Sequence, residues 1–308
     1  MKRRTILLFG ASLLAGWSAT RLAQAETASA GERFGPGTYN SVAAAEELKY
    51  IEANIQPLDG GTKRILITGS AAGLGALAAA YLVARGHEVV AHARNEARAE
   101  DVRRDIPGIS SVVIGDLADL NQTRRLAAEI NDLGTFDVII HNAALYDGIG
   151  QDRLKINVLS PYILTSLVNR PKQLIYLSSN AHWGDLALER IVQEGAGVSY
   201  DESKAQLTTF AMALSRLWLD VQVNLVHPGW VPTRMGELTG TPSDSLRAGY
   251  MTQVWLAEDI DPASHMTGVF LFHQAPYSPV NPVVHDTTAQ DDLIEALRQA
   301  TGVPFPRD

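Results

Sequence analysis

From Lys63 onward the chain alternates short, β-rich apolar runs with longer amphipathic ones, and this alternation limits the fold more than any other feature. Residues 64–68, 88–92, 111–114, 136–140, 173–177, 221–226 and 269–272 read as strands. The segments at 74–85, 96–105, 120–133, 153–168, 200–217 and 291–299 read as helices. Parallel strands need crossover connections, which helices supply, so strict alternation predicts a parallel sheet with helices on both faces. The first run, Arg64-Ile-Leu-Ile-Thr68, is continuously apolar, as a strand covered on both faces should be. No linker, composition break or internal repeat interrupts the body, so 63–308 is expected to be one α/β domain built on a doubly wound parallel sheet.

Composition excludes several function classes. The 308 residues carry a formal charge of −8, and no basic run lies beyond the first few positions. A nucleic-acid partner is therefore not expected. The absence of cysteine removes disulfides, thiolate metal sites and cysteine nucleophiles. The eight histidines are scattered without metal-ligand spacing, so no metal site is expected, and His182 reads as a surface-loop residue.

The N-terminus reads as an address. Lys2-Arg3-Arg4 precedes a short uncharged stretch, and Ala23-Gln24-Ala25 is a small-x-small cleavage site, which together make a signal peptide over 1–25. The apolar stretch is shorter than the roughly 20 residues a membrane span needs, so the mature chain is expected to hold no stable span. Arg3-Arg4-Thr5-Ile6-Leu7 also resembles a twin-arginine export signal, although Lys2 and the lack of a lysine after Leu7 depart from the full pattern. The expected destination is the periplasm; the alternatives are an uncleaved membrane anchor or a cytoplasmic protein. Residues 26–62 form an N-terminal extension in which 41–54 reads as a helix capped by Ser41. No chemistry is assigned to it.

Chemistry gathers after the strands. Thr68-Gly-Ser-Ala-Ala-Gly-Leu-Gly75 follows the first strand and opens a helix, where a doubly wound fold holds a dinucleotide pyrophosphate. Gly69 permits the tight turn, Gly73 the approach of phosphate to backbone, and Gly75 close packing of the helix. Beyond the second strand, His92-Ala93-Arg94 lacks the acid that would bind a ribose 2′-hydroxyl in an NAD site. Arg94 instead offers a planar fork to a 2′-phosphate, with Ser70 as an added donor, so NADP(H) is preferred over NAD(H). Tyr200 and Lys204 are one helical turn apart on one face. A neighbouring ammonium, with an oxidised nicotinamide, should favour the phenolate and lower the tyrosine pKa.

Taken together, these motifs resemble the short-chain dehydrogenase/reductase family over nearly all of 63–308. The resemblance rests on TGSAAGLG, Asp116-Leu117, Asn142-Ala143-Ala144, Asn157, Ser178-Ser179, Tyr200-Asp-Glu-Ser-Lys204 and Pro228-Gly229, in order at successive strand ends. Ala144 and His141 depart mildly from the family pattern, and the long span from Ser179 to Tyr200 looks most like the retinol-dehydrogenase branch. The resemblance implies a Rossmann fold and an oxidoreductase that interconverts carbonyl and alcohol by hydride transfer. It implies Tyr200 as general acid/base, Ser179 (or Ser178) on the reacting oxygen, Lys204 on the nicotinamide ribose and Asn157 on a relay water. The cofactor would further touch Gly69, Ser70, Gly73, Leu74, Gly75, Arg94, Asp116, Leu117, Asn142, Ala143, Pro228, Gly229, Val231 and Thr233. The partner is a small carbonyl or alcohol substrate, and a homodimer or homotetramer is the expected assembly. The alternative is a non-catalytic dinucleotide sensor or structural protein on the same fold.

Overall fold

A computed structural model describes residues 39–193 and 195–306, so the signal expected at 1–25 lies outside the described residues. Seven strands run parallel in one sheet: β1 (Arg64–Ile67), β2 (Glu88–Ala93), β3 (Ser111–Ile114), β4 (Val138–His141), β5 (Gln173–Leu177), β6 (Gln222–His227) and β7 (Val269–Phe272). Their order is β3-β2-β1-β4-β5-β6-β7, closed at one edge by a two-residue antiparallel β8 (Ala275–Pro276) that the sequence reading lacks. The chain winds outward from β1 to β3 and then crosses back, pairing β4 with β1 at Ile65↔Val138. That reversal leaves a crevice at the carboxyl ends of β1 and β4, the switch point where such sheets bind ligands.

The pleat sorts the core. In β1, Leu66 faces one hydrophobic cluster, and Ile65 and Ile67 face the other; β4 and β5 repeat the alternation through Ile139 and Leu174 against Val138, Ile140 and Ile175. The first face is covered by α4 (Leu120–Asp132), α6 (Ser160–Leu167), α8 (Tyr200–Leu217) and α11 (Thr287–Thr301). The second is covered by α1 (Val42–Asn54), α2 (Gly73–Ala84), α3 (Glu96–Asp105) and α10 (Leu246–Glu258), the last unforeseen. Ile65, Leu66 and Ile67 are all buried, each contributing about 1.5–3 kcal/mol of transfer free energy.

Two local features set the site. The helix expected at 153–168 begins earlier as α5 (Gly150–Leu154) and widens into a π turn at Lys155–Leu159 before α6. Within it the Ser160 N–H donates to the Lys155 carbonyl, and Pro161 has no N–H to give the Asn157 carbonyl four residues back. At α8, the Ser199 hydroxyl accepts the Glu202 N–H at 3.1 Å and the Glu202 carboxylate accepts the Ser199 N–H at 2.7 Å. This capping box fixes the first helical residue, which is Tyr200, and puts Lys204 one turn further. Short helices α7 (Leu188–Val192) and α9 (Arg234–Glu237) lie in the connections flanking α8 and β6.

Candidate active site

A crevice of about 460 Å3 opens above the carboxyl ends of β1, β2, β4 and β5. Its floor is the glycine turn. Gly69 has φ +68°, and a Cβ there would lie 2.9 Å from Ala143 Cα, so the strand ends approach this closely only through glycine. A Cβ on Gly75 would meet Asn142 Nδ2 at 2.4 Å and the Gly69 carbonyl at 2.5 Å. The Asn142 amide occupies that space because it donates to the Thr68 carbonyl at 3.0 Å, tying β4 to the turn. Helix α2 starts at this turn with no side-chain cap from its own N-cap residue, Ala72. Its first-turn N–H groups and dipole thus face the crevice, which suits a phosphate.

Further expected residues line the same crevice: Gly73, Leu74, Arg94, Asp116, Leu117, Ala143, Pro228 and Thr233, along with Tyr200 and Lys204. Ser70 does not. It is fully buried, its hydroxyl donating to the Ile67 carbonyl and accepting the His92 N–H at 3.3 Å, so it braces the turn against β2 and cannot reach a phosphate. Gly229 and Val231 are also absent from the lining. Gly229 is pressed against Asp244, and Val231 packs toward Gly249 of α10. Both shape the loop after β6 from behind.

The chemical end of the crevice is lined by Ser178, Tyr200 and Lys204, while Ser179 stands beside Tyr200 just outside the lining. The Ser179 side chain lies near enough to Tyr200 to oppose the rise of its pKa, whereas the buried Ser178 hydroxyl pairs with Thr208 at 2.7 Å. Of the two serines, Ser179 is therefore the one that meets the phenol. Lys204 is buried beneath, donating to the Leu177 carbonyl at 2.8 Å, with its ammonium 5.5 Å from the Tyr200 ring centre. The electrostatics reverse the expectation for Tyr200. Burial pushes the phenol up to about 12, opposed by the Ser179 side chain, and burial drives Lys204 down to about 7. The same low-dielectric pocket disfavours both charges, so the empty site holds a protonated phenol rather than a phenolate.

Asn157 does not line the crevice. Its amide accepts the Leu145 N–H at 2.7 Å and donates to the Leu145 carbonyl and to the Ser203 hydroxyl, each at 3.0 Å. That side chain locks the loop after β4 to the first turn of α8.

The sequence reading missed several residues that hold the site. His182 is fully buried, not a surface residue; its Nδ1 donates to the Ser179 carbonyl at 2.8 Å and its Nε2 accepts the Asn281 N–H at 3.2 Å. His92 bridges two strand ends, accepting the Gly69 N–H on Nδ1 at 3.0 Å and donating from Nε2 to the Gly115 carbonyl at 2.8 Å. Burial lowers the pKa of both imidazoles, consistent with neutral rings in these tautomers. Tyr146 rests on the Tyr200 ring at 4.8 Å, and Arg153 clamps its loop by donating to the Tyr146 and Val198 carbonyls. The extension also enters: Asn40 accepts the Gly73 N–H, and Tyr39, Asn40 and Ser41 line the crevice. Spacing gave no signal for it, because its partners lie far along the chain.

Residues 63–180 match the family model for short chain dehydrogenases. An oxidoreductase of Emericella nidulans without a characterised substrate is 37% identical over 256 residues, spanning 79% of this chain and 98% of that protein. The chain belongs to the short-chain dehydrogenase/reductase family. With that membership stands the enzyme class read from its motifs, an oxidoreductase working on CH–OH and C=O groups. Human retinol dehydrogenase 14 is 30% identical over 213 residues, covering 56% of this chain and 63% of that protein. A short chain dehydrogenase from Shigella flexneri solved with NADP shares the fold at a TM-score of 0.55 and 21% identity, over 72% of this chain and 99% of that one.

Proposed function

We propose that the protein is an NADP(H)-dependent oxidoreductase that interconverts an apolar carbonyl compound and its alcohol. The observation that carries this reading is Tyr200 beside the Ser179 side chain and within 5.5 Å of the buried Lys204 ammonium, at the end of a crevice floored by the N-terminus of α2. A bound nicotinamide dinucleotide would supply or accept the hydride. The chain's own residues handle the proton. Because the pocket keeps Tyr200 protonated at neutral pH, the phenol donates to a carbonyl oxygen, and Ser179 gives that oxygen a second hydrogen bond. His182 fixes the Ser179 backbone from below, and Asn157 fixes the start of α8.

The fit to a 2′-phosphate rests on charge. Strand β2 ends at buried Ala93 with no acid, and Arg94, Arg98 and Arg234 all line the crevice. The substrate reading rests on Leu145 and Ile156 in the lining and Tyr146 against the Tyr200 ring. A non-catalytic sensor would have no use for the serine–tyrosine pair. We further propose that the enzyme reaches the periplasm by the twin-arginine route, folded and with cofactor bound. The function test is NADPH oxidation, followed at the nicotinamide absorbance, across aliphatic and aromatic ketones and aldehydes. Turnover with apolar members is expected; no turnover with any carbonyl, despite cofactor binding, would refute the enzyme reading.

A further inference from the structure

The extension ahead of β1 is fastened to the body more firmly than a tail would be. Helix α1 buries Ala44 and Ile51 in the core cluster that holds α2 and α10. Its Glu47 accepts both Arg247 nitrogens, at 2.7 and 3.0 Å, and the Tyr250 hydroxyl at 2.7 Å. With the helix held on α10, its first residues are aimed at the crevice. Asn40 Oδ1 accepts the Gly73 N–H at 2.7 Å, and the Ser41 hydroxyl donates to the Pro232 carbonyl at 2.7 Å. Both residues are only 1% exposed. The Tyr39 ring lies under two guanidiniums, Arg98 at 3.9 Å and Arg234 at 4.2 Å.

These three consecutive residues join three separate walls of the crevice: the glycine turn, the helix after β2, and the loop after β6. In a doubly wound site those walls face successive parts of one dinucleotide. We propose that residues 39–54 are a strap across the cofactor crevice that slows release of the dinucleotide, an inference that rests on the cofactor reading above. Asn40 takes only the first N–H of α2, so the following first-turn N–H groups, at Leu74 and Gly75, are left for phosphate. The strap therefore lies over the pyrophosphate position without filling it. A bound dinucleotide leaves only after the Asn40, Ser41 and Tyr39 contacts open together.

The test uses the mature full-length chain, an Asn40→Ala/Ser41→Ala double variant, and Tyr39→Ala as a surface change that leaves α1 intact. NADPH is bound, then chased with excess NADP+ in a stopped-flow fluorimeter, alongside an equilibrium titration. Release from the double variant should be roughly tenfold faster than from the wild type, from the loss of the two hydrogen bonds to Gly73 and Pro232; the Ser41 cap on the Ala44 N–H goes with them. Tyr39→Ala should release NADPH several-fold faster. A wild type that binds NADPH but lets it go as fast as both variants overturns the strap alone. So does tighter binding by the double variant, which would make Asn40 a plug. A wild type that binds no dinucleotide overturns the cofactor reading and the strap with it.

Discussion

Replacing Gly75 by alanine tests the floor of the site with a single methyl group. Gly75 does not have positive φ, so no backbone strain enters and the cost is steric. The new Cβ would sit 2.4 Å from Asn142 Nδ2 and 2.5 Å from the Gly69 carbonyl, about an ångström inside ordinary contact. Neither neighbour yields cheaply. The Asn142 amide is held at 3.0 Å by the Thr68 carbonyl, and the Gly69 carbonyl belongs to the turn itself. Overpacking a tight site costs about 1–3 kcal/mol, and displacing the buried Asn142 amide about 1–3 kcal/mol more. A total of about 2–6 kcal/mol corresponds to a fall in Tm of roughly 10 °C for a domain of this size. Differential scanning fluorimetry reads that fall, and an NADPH titration should show binding weakened with it. Because one of the two clashes is with a side chain, Asn142→Gly in the same chain should relieve part of the cost. The two changes should then couple by about 1 kcal/mol or more in a double-mutant cycle. A Gly75→Ala protein with Tm within 2 °C of the wild type and undiminished NADPH binding would refute the packing argument.

Four further outcomes are expected. Tyr200→Phe keeps the ring but removes the proton, so turnover should fall by about 10²–10⁴-fold with NADPH affinity retained; more than about one part in a hundred of the wild-type rate would remove the tyrosine from its role. Titration should show NADP(H) bound more tightly than NAD(H), with Arg94→Ala narrowing the difference, and equal affinities in the wild type would end the preference. Burial pushes His141 down to about 3 and His227 down to about 4, so the unfolded chain binds protons that the folded one refuses once pH drops below about 6.5. Stability should therefore be lost as pH falls from 6.5 to 5, above the range of the carboxylates, and a Tm flat across that window would contradict it. Changing Arg3-Arg4 to Lys-Lys should abolish delivery to the periplasm in a fractionation assay, and undiminished delivery would exclude the twin-arginine route.

The sheet was legible because each strand is short, apolar and isolated by helix, and the reading at 111–114, 173–177 and 269–272 coincides with β3, β5 and β7. Lining residues such as Gly69, Asp116, Asn142 and Pro228 were legible for a related reason: residues at the carboxyl ends of parallel strands must meet, wherever they lie in sequence. Ser70 misled because a serine in a phosphate turn reads as a donor, while the adjacent β2 backbone offered its hydroxyl a closer partner. Burial raises Tyr200 and lowers Lys204, an effect that the spacing of the pair does not reveal and that acts against the charge of an oxidised nicotinamide. Contacts such as His182 with Asn281, or Asn40 with Gly73, are side chain to backbone across long separations and leave no periodicity to read. Helix α10 was missed because its apolar residues are spread around the barrel of the helix rather than along one stripe.

The widened turn at Lys155–Leu159 has a consequence for how this chain can change length. In an α-helix every residue advances the chain by about 100° of rotation. The wide turn carries one residue more than an α turn at nearly the same total rotation, so deleting one residue of it would leave α5 and α6 almost in phase as a regular helix. What would be lost is the bulged position: Asn157 would no longer face both Leu145 and Ser203. A single insertion in α5 has no such turn to absorb it and would rotate what precedes by about 100°, taking Arg153 from the Tyr146 and Val198 carbonyls. Point substitutions on the outer face of this segment should be absorbed freely, while single-residue gains and losses should silence the enzyme without unfolding it, so functional homologues should align through 150–167 without gaps.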